Sequence, residues 1–295
     1  MGWYGNSATD NELFHPVSNP SIIEKRDTLV SGIRGYGSCA VAYSGGVDSA
    51  VVAKAAFLAL GTKAVAVTGV SPSLAAGELR QARQMAERIG IRHEEIHTTE
   101  FSNPDYLQND ARRCFHCKTE LYTHVTAYCQ QHSIQVILNG ANVDDQGDYR
   151  PGMEAAGDFR VVSPLLDGGF AKSDVRELAR LWDLPAWDKP ASPCLSSRVA
   201  YGEEVTPERL RMIDEAEQFL REQGLAEVRV RYHRGDMARL EIPVEVIADF
   251  LDQDRRVALL TRLKSLGFRF VTIDLEGFRS GSLNTLVGVD QVKPL

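Results

Sequence analysis

The chain is predicted to be α/β: a parallel sheet covered by helices on both faces, followed by a smaller α+β unit. Three observations carry this. An apolar run, Cys39-Ala40-Val41-Ala42-Tyr43, leads into Ser44-Gly45-Gly46-Val47-Asp48-Ser49 and then a helical stretch over 50–60, which is the order strand, small polar loop, helix. Strands and helices then alternate at spacings that suit parallel crossovers. Finally, a connector with Pro185, Pro190 and Pro193 separates this pattern from a different one.

Residues 20–34 read as an amphipathic helix with Ile22, Ile23, Leu29, Val30 and Ile33 as its stripe, closed by Gly35 and Gly37. The first strand and polar loop follow. Residues 62–68 are a strand rich in Val and Ala. Ser71-Pro72-Ser73 opens a helix to residue 89, which Gly90 closes. A strand over 91–98, a short helix at Asn103-Pro104-Asp105, a helix over 120–132 and a strand over 135–138 come next. That strand leads to Asn139-Gly140-Ala141-Asn142-Val143-Asp144-Asp145, which reads either as a ribose or substrate contact loop or as an Asn/Asp-rich turn. A last strand is expected over 161–165 and a helix over 172–182. The domains are 1–183, a connector over 184–200 carrying Cys194, and 201–295. In the last, a helix spans 207–223 and a strand 227–233 places Val228, Val230 and Tyr232 on one face, Arg229, Arg231 and His233 on the other. A strand over 237–242, a helix over 244–266 and a strand over 268–275 complete it.

With 295 residues, 43% of them hydrophobic and 25% charged, the chain has enough apolar content for two cores. Its net charge of −7 argues against a large RNA as partner, since such proteins show a basic excess. Residues 1–14 are polar and lack the apolar segment of a signal peptide, Asn6 stands where a myristoylation signal has Ser or Thr, and no run reaches membrane-spanning length. A cytoplasmic protein without a membrane partner is expected. Its five cysteines are then no disulfide framework.

The glycines of residues 44–49 permit a sharp turn, and the loop amides with the start of the following helix converge on an anion site. There is no Gly-Lys-Ser/Thr of a Walker loop. The string resembles the PP-loop of the ATP pyrophosphatases, which bind ATP, release pyrophosphate and leave AMP on the substrate. Cys39 and Cys129 read as small buried hydrophobes. Cys114 and Cys117 form a C-x-x-C around His116, flanked by Arg112, Arg113 and Lys118, whose charges favour thiolate. With Cys194 they suit a 4Fe–4S cluster with one iron left open, or zinc with His116 as fourth ligand, or the C-x-x-C is a redox pair or incidental. His116 is constrained between its neighbours, which favours the cluster over zinc. Arg229, Arg231 and His233 suit a phosphate or carboxylate clamp, or simply a solvated strand face. Glu217 and Glu241 are candidates for acid–base work, or plain surface carboxylates.

Taken in order, residues 44–49, Arg113-Cys114-Phe115-His116-Cys117-Lys118, residues 140–145, Asp148-Tyr149-Arg150-Pro151-Gly152, Trp187-Asp188-Lys189-Pro190-Ala191, Cys194-Leu195-Ser196-Ser197-Arg198 and Val228-Arg229-Val230-Arg231 resemble the LarE-type sulfur transferases. That family adenylates the carboxylates of pyridinium-3,5-biscarboxylic acid mononucleotide and makes thiocarboxylates for the nickel-pincer nucleotide cofactor of lactate racemase. The resemblance implies a PP-loop ATP pyrophosphatase domain that uses ATP and Mg²⁺, with Ser44, Gly45, Gly46, Val47, Asp48, Ser49, Gly140 and Asn142 at the ATP. It implies a sulfur source in two versions. Either Cys194 gives up its own sulfur, or Cys114, Cys117 and Cys194 hold a 4Fe–4S cluster; cysteines at all three positions favour the second. Arg229 and Arg231 would bind the substrate phosphate, Ser197 and Arg198 would lie near the reacting cysteine, and Glu217 would act as general base. A homo-oligomer, as large as a hexamer, is also implied. A tRNA thiolase of the PP-loop class is the competing expectation, and the acidic balance counts against it. An ATP-dependent amide synthetase and a nucleotide-binding regulatory module stand further off.

Overall fold

The computed structural model describes residues 21–145, 151–189, 193–225, 227–250 and 252–279. Asp148-Tyr149-Arg150, Pro190 and Ala191 lie outside these. Helix α1 (Ile22–Arg34) starts at Ser21, whose hydroxyl and Glu24 form a reciprocal capping box, and buries Leu29 and Ile33. Strand β1 (Cys39–Ala42) lies at the centre of the sheet, with Cys39, Ala40 and Val41 fully buried. Helix α2 (Val47–Leu60) follows the polar loop; its run of Ala and Val is buried between the sheet and its neighbours. Strand β2 (Ala64–Val70) leads to α3 (Ala76–Ile89), which Gly90 ends in a left-handed conformation at φ 83°. Strand β3 (Arg92–His97), α4 (Pro104–Leu107), α5 (Arg113–Gln131) and β4 (Val136–Leu138) follow.

The sheet order is β3-β2-β1-β4 and every pairing is parallel. The order reverses between β1 and β4, so the loops after these two strands frame the crevice in which such sheets bind ligands. Helices α6 (Pro151–Asp158), α7 (Pro164–Asp167) and α8 (Lys172–Leu181) complete this half. One core joins α1, α2, α3 and α8 to one face of the sheet, and another joins α5 and α6 to the opposite face. The α/β fold with a parallel sheet is thus as expected. Two local expectations fail. Residues 161–165 form only a bridge, Val162 to Leu138, because Pro164 starts α7. Helix α5 begins seven residues before the predicted start at 120, so the C-x-x-C lies on its first turns.

Helix α9 (Pro207–Glu222) starts at Thr206, whose hydroxyl accepts from the Arg209 amide. It covers a second sheet, β5 (Arg229–His233), β6 (Met237–Glu241) and β7 (Phe270–Ile273), antiparallel between β5 and β6 and parallel between β6 and β7. The helix predicted over 244–266 is divided into a 3₁₀ turn, α10 (Ile247–Phe250) and α11 (Gln253–Leu266), the last capped by Asp252. The core of this unit also takes in Tyr106 and Leu195, with Phe101, Leu107 and Cys117 packed against it. Among the described residues no helix is long and apolar enough to cross a membrane.

Candidate active site

The loop after β1 is shaped by one glycine. Gly45 has φ +75°, and a Cβ there would stand 2.9 Å from the Cα of Ala82 on α3. Two serines tie the loop to itself: Ser49 Oγ lies 3.2 Å from Ser44 Oγ and donates to the Gly46 carbonyl at 3.1 Å. No side chain caps α2 at Gly46, so the helix presents bare amides and its positive end to the crevice. The loop after β4 presses on the same spot, for a Cβ on Gly140 would lie 2.8 Å from the Ser49 nitrogen. Asn142 Nδ2 donates to Asp48 Oδ1 at 3.0 Å. Lys172, the first residue of α8, reaches Asp48 Oδ2 at 2.5 Å, while its backbone amide donates to Asp144 Oδ2 at 2.6 Å. Sequence reasoning missed Lys172. A lysine in the first turn of a helix opposes the helix dipole, and that misplaced cation was the available signal.

Ser44, Asp48, Ser49, Gly140, Asn142 and Lys172 border a cavity of about 680 Å³, and Lys118, Cys117 and Cys194 border it as well; Gly45, Gly46 and Val47 do not. Cys114 and Cys194 are exposed and Cys117 is partly buried. Burial first, then the charges of Cys194, Glu100 and Cys114, push the Cys117 thiol up to about 12, against the opposing pull of Lys118. The expectation that positive neighbours favour thiolate fails for Cys117, because desolvation outweighs them. The turn carrying Cys194 is pinned from several sides. Leu195 N donates to Ser73 O at 2.9 Å, Ser197 Oγ to Cys194 O at 2.7 Å, and Arg198 Nη1 to Cys194 O at 2.9 Å. Tyr106 and Ser196 hydroxyls meet at 2.7 Å. Buried Arg113 joins this turn to the start of α5, donating to the Ser196 carbonyl at 2.9 Å and to Asn109 Oδ1.

The thiols of Cys114, Cys117 and Cys194 are near enough to act on one another and on Arg113 and Lys118 electrostatically. Among the described residues, no three His, Cys, Asp or Glu side chains stand in a metal-holding arrangement. What the chain does supply is the donor set, three thiols backed by two cations, and that chemistry suits an anionic iron–sulfur centre. His116 does not border the cavity; its ring stands edge-on to Phe115 at 5.6 Å.

Beside the Cys194 turn lies a buried arginine–glutamate network. Arg198 is 2% exposed and Glu217 1%. Arg198 Nε donates to Glu217 Oε1 at 3.0 Å and its Nη2 to Oε2 at 3.3 Å; Arg221 and the Val230 amide donate to the same carboxylate at 2.7 and 3.1 Å. Burial pushes the Glu217 carboxyl up, but Arg198, Arg221 and Arg229 outweigh it and leave it below the usual range. Arg231 grips Glu241 Oε2 at 2.8 Å and donates to the Ser197 carbonyl at 3.0 Å. Burial, then the repulsion of Arg198, brings Arg229 down to about 10. The predicted solvated face is therefore wrong for Arg229 and Arg231, and Glu217 and Glu241 are not surface carboxylates, because the Cys194 turn and α9 cover β5. Ser197, Arg198, Glu217, Arg229 and Arg231 thus gather behind the Cys194 turn and do not themselves border the cavity.

The asparagine synthase family model matches residues 33–139, the segment from the end of α1 through β4 that holds the polar loop. An uncharacterized protein of Synechocystis is 45% identical over 247 residues, 84% of this chain and 92% of its own. The pyridinium-3,5-bisthiocarboxylic acid mononucleotide synthase of Lactiplantibacillus plantarum is 36% identical over 266 residues, 90% of this chain and 95% of its own. An uncharacterized protein of Methanocaldococcus jannaschii is 28% identical over 240 residues, 81% of this chain and 90% of its own. A shared phosphate-site fold and similarity to that synthase along nearly the whole of both chains lead to one conclusion: the chain belongs to the LarE-type family of ATP-dependent sulfur transferases, within the PP-loop proteins.

Proposed function

We propose that the chain uses ATP to adenylate the carboxylates of pyridinium-3,5-biscarboxylic acid mononucleotide and then replaces AMP with sulfur. The resulting thiocarboxylates would serve the nickel-pincer nucleotide cofactor of lactate racemase. The observation that supports this most is that Ser44, Asp48 and Ser49 of the polar loop border one cavity with Cys194. A carboxylate is a poor electrophile. Its oxygen attacks the α-phosphorus of ATP, the bond to pyrophosphate breaks, and an acyl-adenylate forms. The bare amides of α2 and Lys172 oppose the charge of the departing pyrophosphate. Asp48 with the phosphates would hold Mg²⁺, an ion that takes one or two carboxylates and substrate oxygens.

Sulfur then attacks the acyl carbon and AMP leaves with the bonding pair. Cys114, Cys117 and Cys194 would hold a 4Fe–4S cluster, which when bound supplies the transferable sulfur at its open iron. The rest of the task falls to this chain. Arg113 and Lys118 balance negative charge at the thiols, and the hydrogen bonds to Ser73 and from Arg198 fix the Cys194 turn. Exposed Cys194 also leaves open its sacrificial use, in which its own sulfur is transferred and dehydroalanine remains. By the family resemblance Arg229 and Arg231 would hold the substrate phosphate, on the far side of the Cys194 turn from the cavity, with Ser197 and Arg198 beside the reacting cysteine. Glu217, occupied by four donors and weakened as a base by its arginines, is assigned to hold Arg198 rather than to take a proton. A cytoplasmic homo-oligomer, as large as a hexamer, completes the proposal.

Anaerobically purified protein with ATP and the pyridinium mononucleotide should release pyrophosphate and yield thiocarboxylate by mass spectrometry. No pyrophosphate release with this substrate would sink the reading, and tight, salt-sensitive tRNA binding would favour a thiolase. About four irons per chain, lost in Cys114→Ala, would support the cluster. Loss of H₂S from Cys194 after one turnover would support the sacrificial route instead.

A further inference from the structure

Glu100 has no part in the reaction above, yet it is 3% exposed and borders the same cavity. It opens the 3₁₀ turn Glu100–Ser102 beyond the carboxyl end of β3. Its Oε1 is well supplied, accepting from Ser71 Oγ at 2.5 Å and Ser73 Oγ at 3.2 Å. Its Oε2 is shielded from solvent and has no hydrogen-bond partner. No ion pair to Glu100 occurs among the described residues. A buried carboxylate oxygen without a donor is costly, and native proteins rarely leave one so. Two hydroxyls on one oxygen are enough to hold the 71–73 loop, so a purely structural role does not account for the second oxygen. The missing donor is to be sought in the occupant of the cavity.

Carboxylates at the carboxyl end of a parallel sheet are well suited to ribose, because they accept and a ribose hydroxyl donates. We infer that Glu100 Oε2 accepts a hydrogen bond from a ribose hydroxyl of a nucleotide bound in this cavity. The inference rests on the reading of the chain as a sulfur transferase acting on a mononucleotide with ATP. Both of those substrates carry ribose, so the hydroxyl belongs to ATP or to the pyridinium mononucleotide. The same unit supports the sulfur site: Ser73, held by Glu100, accepts the Leu195 amide through its carbonyl at 2.9 Å, next to Cys194.

Calorimetric binding decides it without turnover. The probes are ATP, 2′-deoxy-ATP and 3′-deoxy-ATP, and the pyridinium mononucleotide with its 2′- and 3′-deoxy forms, each with wild type, Glu100→Gln and Glu100→Ala. In wild type, loss of the correct hydroxyl should weaken binding about tenfold or more, as expected for a bond to a charged group. That discrimination should shrink to a few-fold in Glu100→Gln and vanish in Glu100→Ala. The nucleotide that shows the pattern is the source of the hydroxyl. Wild type that ignores every deoxy substitution overturns the inference, whether or not a variant folds, and so does discrimination that survives unchanged in both variants. Should the mononucleotide fail to bind while the ATP series shows the pattern, the substrate reading falls and the role of Glu100 stands.

Discussion

Removing the Glu217 carboxylate should strongly destabilise the fold. Arg198 is 2% exposed and donates both of its carboxylate bonds to Glu217. In Glu217→Ala that guanidinium stays buried without a counter-charge, and breaking such a pair costs about 3–5 kcal/mol. The Arg221 bond adds little, because its side chain is 40% exposed. Urea unfolding should therefore show Glu217→Ala less stable by about 3–5 kcal/mol, and Glu217→Gln, whose amide oxygen still accepts, by about 1–3 kcal/mol. The pH dependence has a definite sign. The Glu217 pKa is lowered in the folded chain, so its contribution is complete above the ordinary 4.5 and is lost as pH falls through the folded value. The gap between wild type and Glu217→Gln should hold from neutral pH down to about 5 and close in stronger acid. Stability within about 1 kcal/mol of wild type in Glu217→Ala, together with loss of the acidic limb of the kcat profile, would refute this argument and restore Glu217 as a base.

Three further outcomes are expected. Gly140→Ala should weaken ATP binding at least tenfold and lower stability by about 1–3 kcal/mol, because its Cβ would stand 2.8 Å from the Ser49 nitrogen; calorimetry and urea melts check it. In metal-free protein, iodoacetamide should label Cys117 on the order of a hundredfold more slowly than exposed Cys114 and Cys194, since its thiol is pushed up to about 12 by burial; peptide mass spectrometry reads the order. Arg231→Ala should cost about 1–3 kcal/mol in a urea melt, because fully buried Glu241 loses the Arg231 donors on Oε2 while Arg239 still donates to Oε1 at 2.9 Å, and Arg231→Lys should recover only part of it.

What was legible in the sequence was local. The strand, polar loop and helix around residues 44–49 announce themselves through apolar run, glycines and helical spacing, all within about twenty residues. The alternation that placed Arg229 and Arg231 on one face of β5 was equally readable, but their burial was not. It depends on Ser197 and on Glu217, elements apart in the chain, and period 2 says nothing about what covers a face. The early start of α5 was hidden for a similar reason. Arg112 makes no side-chain cap there, and the first turn is held by Arg113 reaching across to Ser196. For the loop holding Gly140 a substrate-contact role and an Asn/Asp-rich turn stayed equally open in the sequence, because only its distance to α2 explains that glycine. Three-dimensional proximity of Cys194 to Cys117 likewise rests on contacts distant in sequence, such as Leu195 N to Ser73 O and Arg113 to Ser196 O.

Those contacts bear on how the molecule can be taken apart. Asn109 Nδ2 donates to the carbonyls of Val199, Ala200 and Glu203, Val205 N donates to Leu107 O, and Tyr106 and Leu195 share one core with Tyr232 and Leu240. The first half of the chain therefore supplies part of the interior of the second. A gene fragment that stops before the connector would expose an apolar patch around Tyr106, and one that starts after it would carry a hole in its own core. The sulfur-bearing turn cannot be traded between relatives as a cassette; it would have to be exchanged together with the 101–117 segment that walls it in.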